Sequence, residues 1–265
     1  MLRGLQARRL PPRPRSRSAR RAWRALRLLP AMLAFAVPAV QATPPDRIVA
    51  AEYTEPTTRY AHGVLGDAVE WGALVLTVSA CPGCSGAAAR KYVIRLPETR
   101  VFEDLAPRLI TGADGGVLAM VVESSTAEGA RLALYDADGL HAATPYIGRT
   151  NRWLAPIGAG DLDGDGWPEL AYIDRPHLAK TLRIWRLKNG QLTEVASVPG
   201  LTNHRIGEDF ISSGLRDCGE GMEIITADAG WSKIMASRLN KGRIISRSLG
   251  PFTGPGSIDQ ALACG

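Results

Sequence analysis

The sequence has few of the residues that usually mark a catalytic centre. Its 265 residues include only four histidines and four cysteines. The histidines stand in predicted links or turns without the HExxH spacing of a zinc peptidase. No P-loop and no G-x-S-x-G nucleophile motif is present. Because no enzyme class is favoured by these patterns, we predict a protein that is not a catalyst.

No apolar run in the sequence reaches the length of about 20 residues that a membrane-spanning helix needs. The longest run, Leu28 to Val40, follows ten arginines and is closed by a small-residue V-Q-A end, and the first 42 residues contain no acidic residue. This order is typical of a secretory signal peptide, with a disordered basic tail or an uncleaved anchor as the alternative. We therefore predict a signal peptide over residues 1–42. Residues 43–265 are then a soluble domain without a membrane span, either periplasmic or secreted.

The basic charge of the chain is confined to that leader. The whole sequence has 32 basic and 26 acidic residues, and taking away the ten leader arginines leaves 22 against 26, a net charge of −4. Recognition of nucleic acid requires a basic face. We therefore expect no nucleic-acid partner.

The four cysteines are expected to form disulfides, because an exported protein meets an oxidising compartment. Cys81 and Cys84 are close enough to close a small loop, which leaves Cys218 to pair with Cys264. Three connectivities are open to four cysteines, and the sequence does not choose among them. A thiol oxidoreductase that uses Cys81 and Cys84 is an alternative, although the motif lies between predicted strands rather than at a helix N-terminus.

Strong apolar runs recur along the chain and predict an all-β fold. They centre near Leu74, Leu118, Leu170 and Ile224, which lie 44, 52 and 54 residues apart. Repeated four-stranded antiparallel units at this spacing are typical of a β-propeller, with a β-sandwich as the alternative. The pattern predicts four blades and leaves a fifth open. Arg47 to Tyr53 is predicted to add an outer strand to the last blade and so protect its edge.

The most specific motif is a short loop that alternates acidic residues with glycine. The spacing of Asp161, Asp163, Asp165 and Glu169 predicts that they surround one hard cation. Calcium prefers such a loop because it takes six to eight oxygen ligands, and a calcium-free acidic turn is the alternative. An EF-hand does not fit, because its twelfth loop position would be Tyr172 and the flanking segments read as strands.

The segment WLAPIGAGDLDGDGWPELAYIDRP, from Trp153 to Pro176, resembles the FG-GAP or VCBS-type repeat proteins. Its opening and its end depart from the family pattern, whereas Gly160 to Glu169 match the family loop. The resemblance implies a β-propeller that binds calcium in loops between the first two strands of a blade, and a binding or scaffold role. By this resemblance, the side chains of Asp161, Asp163, Asp165 and Glu169 would bind the calcium ion, together with the backbone carbonyl of Trp167. Asp217 to Glu223 is at most a weak second site.

Three links between predicted blades carry similar polar and aromatic residues. On a propeller they would gather on one rim and form a site for an acidic or sugar ligand, or they would brace neighbouring blades. The rim residues are Arg59, His62, Arg152, Trp153, His204 and Arg205. We expect a monomer that binds an unknown protein or glycan. A propeller enzyme, either a hydrolase or a lyase with its site at the channel mouth, is the alternative.

Overall fold

The computed structural model describes residues 47–79 and 88–265, and this part of the chain is all-β. It contains seventeen strands and one short helix. No helix among these residues is long and apolar enough to cross a membrane. The predicted signal peptide, residues 1–42, and the cysteines Cys81 and Cys84 lie outside the described residues.

The first eight strands form one antiparallel sheet. They are β1 (Arg47–Thr57), β2 (Glu70–Ser79), β3 (Ala89–Arg95), β4 (Arg100–Phe102), β5 (Arg108–Thr111), β6 (Val117–Ser125), β7 (Gly129–Asp136) and β8 (Gly139–Ala143). Their order is β1-β2-β4-β6-β7-β8, with β3 also paired to β2 and β5 also paired to β6. The short strand β4 joins the two halves, because it pairs with β2 only through Trp71 and Phe102 and continues onto β6.

Two further antiparallel sheets follow in chain order. The second sheet is a meander of β9 (Leu154–Gly160), β10 (Glu169–Asp174), β11 (Thr181–Lys188) and β12 (Gln191–Pro199). The third contains β13 (Leu201–Thr202), β14 (Gly214–Asp217), β15 (Met222–Asp228), β16 (Lys233–Asn240) and β17 (Arg243–Pro251). The helix α1 (Pro255–Leu262) ends the chain.

The predicted position of the first strand is wrong. β1 pairs along the length of β2, with Arg47 opposite Ser79, and does not join the last sheet. Ile48 of β1 is buried in the same core as Leu74 and Leu76 of β2. Because consecutive strands usually pair with each other, the partner next in the chain is preferred to one almost 200 residues away.

The central strands are buried on both faces, which explains their long apolar runs. In β10, Leu170 and Tyr172 belong to the core shared with the first sheet. Ala171 and Ile173 point the other way, into the core shared with the third sheet. Side chains alternate between the faces of a strand, so a strand covered on both sides needs an apolar residue at every position.

The helix α1 covers the outer face of the third sheet. Its residues Ile258 and Ala261 pack against Ile225 and Ala236. Just beyond α1, Cys264 forms a disulfide with Cys218, which confirms this predicted pair. The end of the chain is therefore fixed to the turn between β14 and β15.

Candidate functional site

The acidic loop is held between two paired strands. Glu169, at the start of β10, lies opposite Gly160, at the end of β9. Between them, the Asp161 carboxylate accepts hydrogen bonds from the backbone N–H groups of Gly164 at 2.8 Å, Asp165 at 3.1 Å and Gly166 at 3.0 Å. The two glycines have φ angles of 80° and 87°, so a side chain at either position would strain this tight turn.

Three of the predicted ligands come together closely enough to share one ion. Carboxylate oxygens of Asp161, Asp163 and Glu169 all lie within 4.8 Å of one another. Calcium–oxygen distances of 2.3–2.6 Å allow two ligands of one ion to be about 5 Å apart at most. The spacing of these oxygens therefore allows all three to contact one metal ion.

A guanidinium group already offsets part of the negative charge of this cluster. Arg186 of β11 stands directly opposite Glu169 in the strand pairing. It donates to Asp163 at 2.6 Å, to Asp165 at 2.9 Å and to Glu169 at 2.5 Å. Arg186 therefore holds the place of a cation against three acidic side chains.

The two remaining predicted ligands lie beside the cluster. Asp165 contacts Arg186 with one oxygen and accepts the backbone N–H of Trp167 at 3.0 Å with the other. The half-buried indole of Trp167 lies under the ammonium group of Lys188, which is 4.8 Å from the ring centroid.

Glu169 is the buried member of the cluster. Its Oε2 accepts the backbone N–H of Leu162 at 2.8 Å. Burial raises the pKa of Glu169, and this effect outweighs the lowering by the hydrogen bonds from Arg186 and Leu162. A cation at this position would favour the ionised carboxylate.

The weaker candidate loop, Asp217 to Glu223, is neutralised differently. Asp217 accepts backbone N–H groups from Gly219 and Gly221, much as Asp161 does in its own loop. Glu223, however, is bound on both oxygens by three arginines. These arginines are Arg216, Arg238 and Arg247. Because the arginines already neutralise Glu223, we assign no metal to this loop.

Sequence reasoning missed these arginines. Each sheet contains a glutamate whose cross-strand neighbour is an arginine: Glu123 faces Arg131, Glu169 faces Arg186 and Glu223 faces Arg216. The sequence did contain an indication of these pairs, because arginines occur within otherwise apolar strands. It could be used only once the strand register was known, since a shift of one residue turns a side chain to the other face.

Some of the predicted rim residues meet in one small pocket. His62, Arg152 and Trp153 line it together with Arg175 and His177, and its volume is about 30 Å³. This space admits little more than one water molecule.

Two other rim residues, Arg59 and Arg205, contact different parts of the fold. Arg59 donates to the carbonyl of Arg100 through Nε at 3.0 Å and Nη2 at 2.6 Å. The guanidinium of Arg205 lies 4.2 Å from the ring centroid of Trp231.

A buried acid stands behind His62. The acid is Glu103, whose side chain is fully buried, and its Oε1 lies 2.5 Å from Nδ1 of His62. The Ser124 hydroxyl donates to the other Glu103 oxygen, and Trp153 Nε1 donates to the Glu103 carbonyl at 2.9 Å. Burial raises the pKa of Glu103 despite the opposing hydrogen bond from His62. The nearby Glu70 has its pKa raised to about 9 by burial and by the charges of Glu103, Asp67 and Asp104.

Two more histidines form a chain of hydrogen bonds beside Trp153. His177 Nε2 lies 3.0 Å from His204 Nδ1, and His204 Nε2 lies 2.9 Å from the carbonyl oxygen of Glu208. A carbonyl oxygen only accepts hydrogen bonds, so His204 Nε2 carries the proton of a neutral His204. Its Nδ1 then accepts a hydrogen bond from Nε2–H of His177. Burial, followed by the charges of His204 and His62, lowers the pKa of His177 to about 4. His177 is therefore neutral at pH 7.

Comparison with known protein families finds no family model that matches this chain, and comparison with curated proteins finds no matching protein. The functional argument therefore depends on the residues and their geometry.

Proposed function

We propose that this chain is an exported, calcium-binding β-propeller that serves as a binding or scaffold module and not as a catalyst. The observation that carries the proposal is the meeting of Asp161, Asp163 and Glu169 oxygens within the span of one calcium ion. The side chain of Asp165 and the backbone carbonyl of Trp167 are the further proposed ligands. Calcium would add positive charge where clustered carboxylates otherwise repel one another.

The stacking of the sheets supports the propeller part of the proposal. The apolar cores follow the chain: one joins the two halves of the first sheet, the next joins the first sheet to the second, and the third joins the second sheet to the third. Propeller blades pack on their sequence neighbours in this way. We favour four blades over five, because the first sheet divides into two halves and two further sheets follow it.

Arg186 is proposed to compete with calcium for the same oxygens. Its contacts with Asp163 and Glu169 would have to lengthen for those side chains to bind an ion. In the absence of calcium the same contacts hold the loop together. Arg186 would thus set the calcium concentration at which the loop exchanges one cation for another.

Removal of calcium with EDTA should lower the melting temperature of the protein. At a free calcium concentration one hundred times Kd, binding stabilises the folded state by about 2.7 kcal/mol, or roughly 5–10 °C for a domain of this size. Asp163→Ala should abolish this difference, because it removes a ligand at an exposed position. Differential scanning calorimetry and isothermal titration with calcium chloride measure both effects.

Two matched variants sharpen this test. Arg186→Gln should bind calcium about tenfold more tightly, because it removes the competing charge. Asp217→Asn, in the loop to which we assign no metal, should keep the wild-type response. Identical melting curves with and without calcium, together with no heat of calcium uptake, would refute the metal part of the proposal.

The His62–Glu103 pair favours an enzyme as a second candidate function. If Nδ1 of His62 donates to Glu103, its Nε2 carries a lone pair that can accept a proton. The neighbouring Arg152 and Arg175 could stabilise a developing negative charge. The small volume of the pocket argues against a bulky substrate.

This second candidate predicts measurable turnover that depends on His62. The wild-type protein would be incubated with p-nitrophenyl esters, phosphates and glycosides. His62→Gln should then reduce any hydrolysis by roughly 10²–10⁴-fold, the usual contribution of a general base. Absence of turnover by the wild type with all three substrate classes would eliminate a hydrolase of these substrates.

A further inference from the structure

A second and larger cavity lies between the first and second sheets, on the side of Trp167. It is bounded by the turn between β5 and β6, by β8 and by the turn between β11 and β12, and its volume is about 670 Å³. Sites for small ligands usually fall between about 300 and 1,000 Å³. None of the predicted ligand-binding residues of the rim lines this cavity.

One wall of the cavity is aromatic and its floor is aliphatic. Trp167 lines the cavity, with Leu118 and Leu187 beneath. Lys188 covers one face of the indole at 4.8 Å from the centroid. The indole of Trp167 offers an aromatic surface on which a flat apolar face of a ligand can stack.

The polar groups of the cavity are mostly hydrogen-bond acceptors. Asp114 uses Oδ1 to accept the N–H of Gly116 at 2.9 Å, which leaves Oδ2 for a ligand. Asp136 Oδ2 lies 3.0 Å from His141 Nδ1, so a neutral His141 has its lone pair on Nε2. Within the described part of the chain, the side-chain amide of Asn189 has no hydrogen-bond partner and offers both a donor and an acceptor.

The charges around the cavity favour an uncharged ligand. The ammonium of Lys188 disfavours a cation against the indole, and the carboxylate of Asp114 disfavours an anion close to it. A ligand that matches this cavity donates several hydrogen bonds to acceptors and also presents an apolar face to a ring. Hydroxyl-bearing sugar rings have both properties.

We propose that this cavity binds a saccharide, with a sugar ring stacked on Trp167 and its hydroxyl groups bound by Asp114, His141 and Asn189. The proposal names a ligand for the binding role proposed above and does not require the metal. A volume of about 670 Å³ accommodates a disaccharide-sized ligand.

Saturation-transfer NMR and isothermal titration with maltose, cellobiose, lactose and N,N′-diacetylchitobiose would test the proposal. At least one of these sugars should bind with a Kd of about 10 mM or tighter. Trp167→Ala should weaken that binding at least about tenfold. Trp231→Ala removes another half-buried indole outside the cavity, and it should leave the affinity unchanged.

A second variant tests the cavity without disturbing the loop of Trp167. Asn189 has a φ angle of 52°, so Asn189→Gly keeps the turn while it removes the amide, and affinity should fall several-fold. Failure of all four sugars to bind, or equal affinity in wild type, Trp167→Ala and Asn189→Gly, would overturn the proposal. Sugar titrations in EDTA and separate calcium titrations without EDTA distinguish the two proposals. Sugar binding without calcium uptake supports the cavity alone, and calcium uptake without sugar binding supports the metal loop alone.

Discussion

Replacing both Cys218 and Cys264 with serine is expected to lower the free energy of unfolding by about 4 kcal/mol. The disulfide closes a segment with a sequence separation of 46, and loop-closure entropy in the unfolded chain gives a stabilisation of about this size. The bond also holds α1 near β14, where a side chain at Gly214 would meet Leu262 at 2.9 Å. Loss of the bond therefore increases the conformational entropy of the unfolded chain and removes a restraint on α1 in the folded protein.

Urea unfolding of the double-serine variant measures this effect. The matched control is Cys81→Ser with Cys84→Ser, because a bridge between those residues would close a loop too short to restrict the unfolded chain strongly. An unfolding free energy of the Cys218/Cys264 variant equal to that of the wild type would show that packing alone fixes α1.

Glu223→Ala should destabilise the protein by about 3–5 kcal/mol, the usual cost of removing one partner from a buried ion pair. The side chain of Glu223 is 2% exposed and that of Arg216 is 8% exposed, so the arginine would be left with little water to replace its partner. Arg238 and Arg247 would lose the same carboxylate. We expect the third sheet to be affected first.

The same glutamate gives the stability a defined pH dependence. Burial raises the pKa of Glu223, but the hydrogen bonds from Arg216, Arg247 and Arg238 together outweigh it and hold the pKa below its ordinary value. A lowered carboxyl pKa stabilises the folded state above the ordinary pKa, and this contribution is lost as the pH falls through the folded-state value. Unfolding measured from pH 7 to pH 3 should show a loss that is smaller in Glu223→Ala.

Glu220→Ala is the control for Glu223→Ala. Glu220 is 76% exposed and pairs with the outer side of Arg238. Its removal should have no measurable effect, because exposed ion pairs contribute little. A cost for Glu220→Ala equal to that for Glu223→Ala would contradict the role given to burial.

Features that depend on neighbouring residues could be predicted from the sequence. The all-β class follows from the apolar runs around Leu118 and Leu170, which became β6 and β10. The turn at Asn189 and Gly190 joins β11 to β12, and both residues have the positive φ angles that this dipeptide tolerates. The spacing of Asp161, Asp163 and Glu169 was sufficient to locate the acidic cluster, because one tight loop brings them together.

Features that depend on strand register or on distant segments could not be predicted from the sequence. β1 could pair with more than one exposed sheet edge, and the sequence does not indicate that the edge of β2 is preferred. Arg186 reaches the loop only because Glu169 is its exact cross-strand neighbour. His62 and Glu103 are 41 residues apart, and neither belongs to a motif that indicates the other.

The helix α1 also covers one face of the third sheet. A series of sheets with apolar residues on both faces offers a further copy of the same protein a surface on which to pack, and such growth leads to fibres. α1 occupies that surface with Ile258 and Ala261, and the Cys218–Cys264 bond keeps it in place. The disulfide and the apolar contacts of α1 therefore act together to keep Ile225 and Ala236 away from a neighbouring molecule.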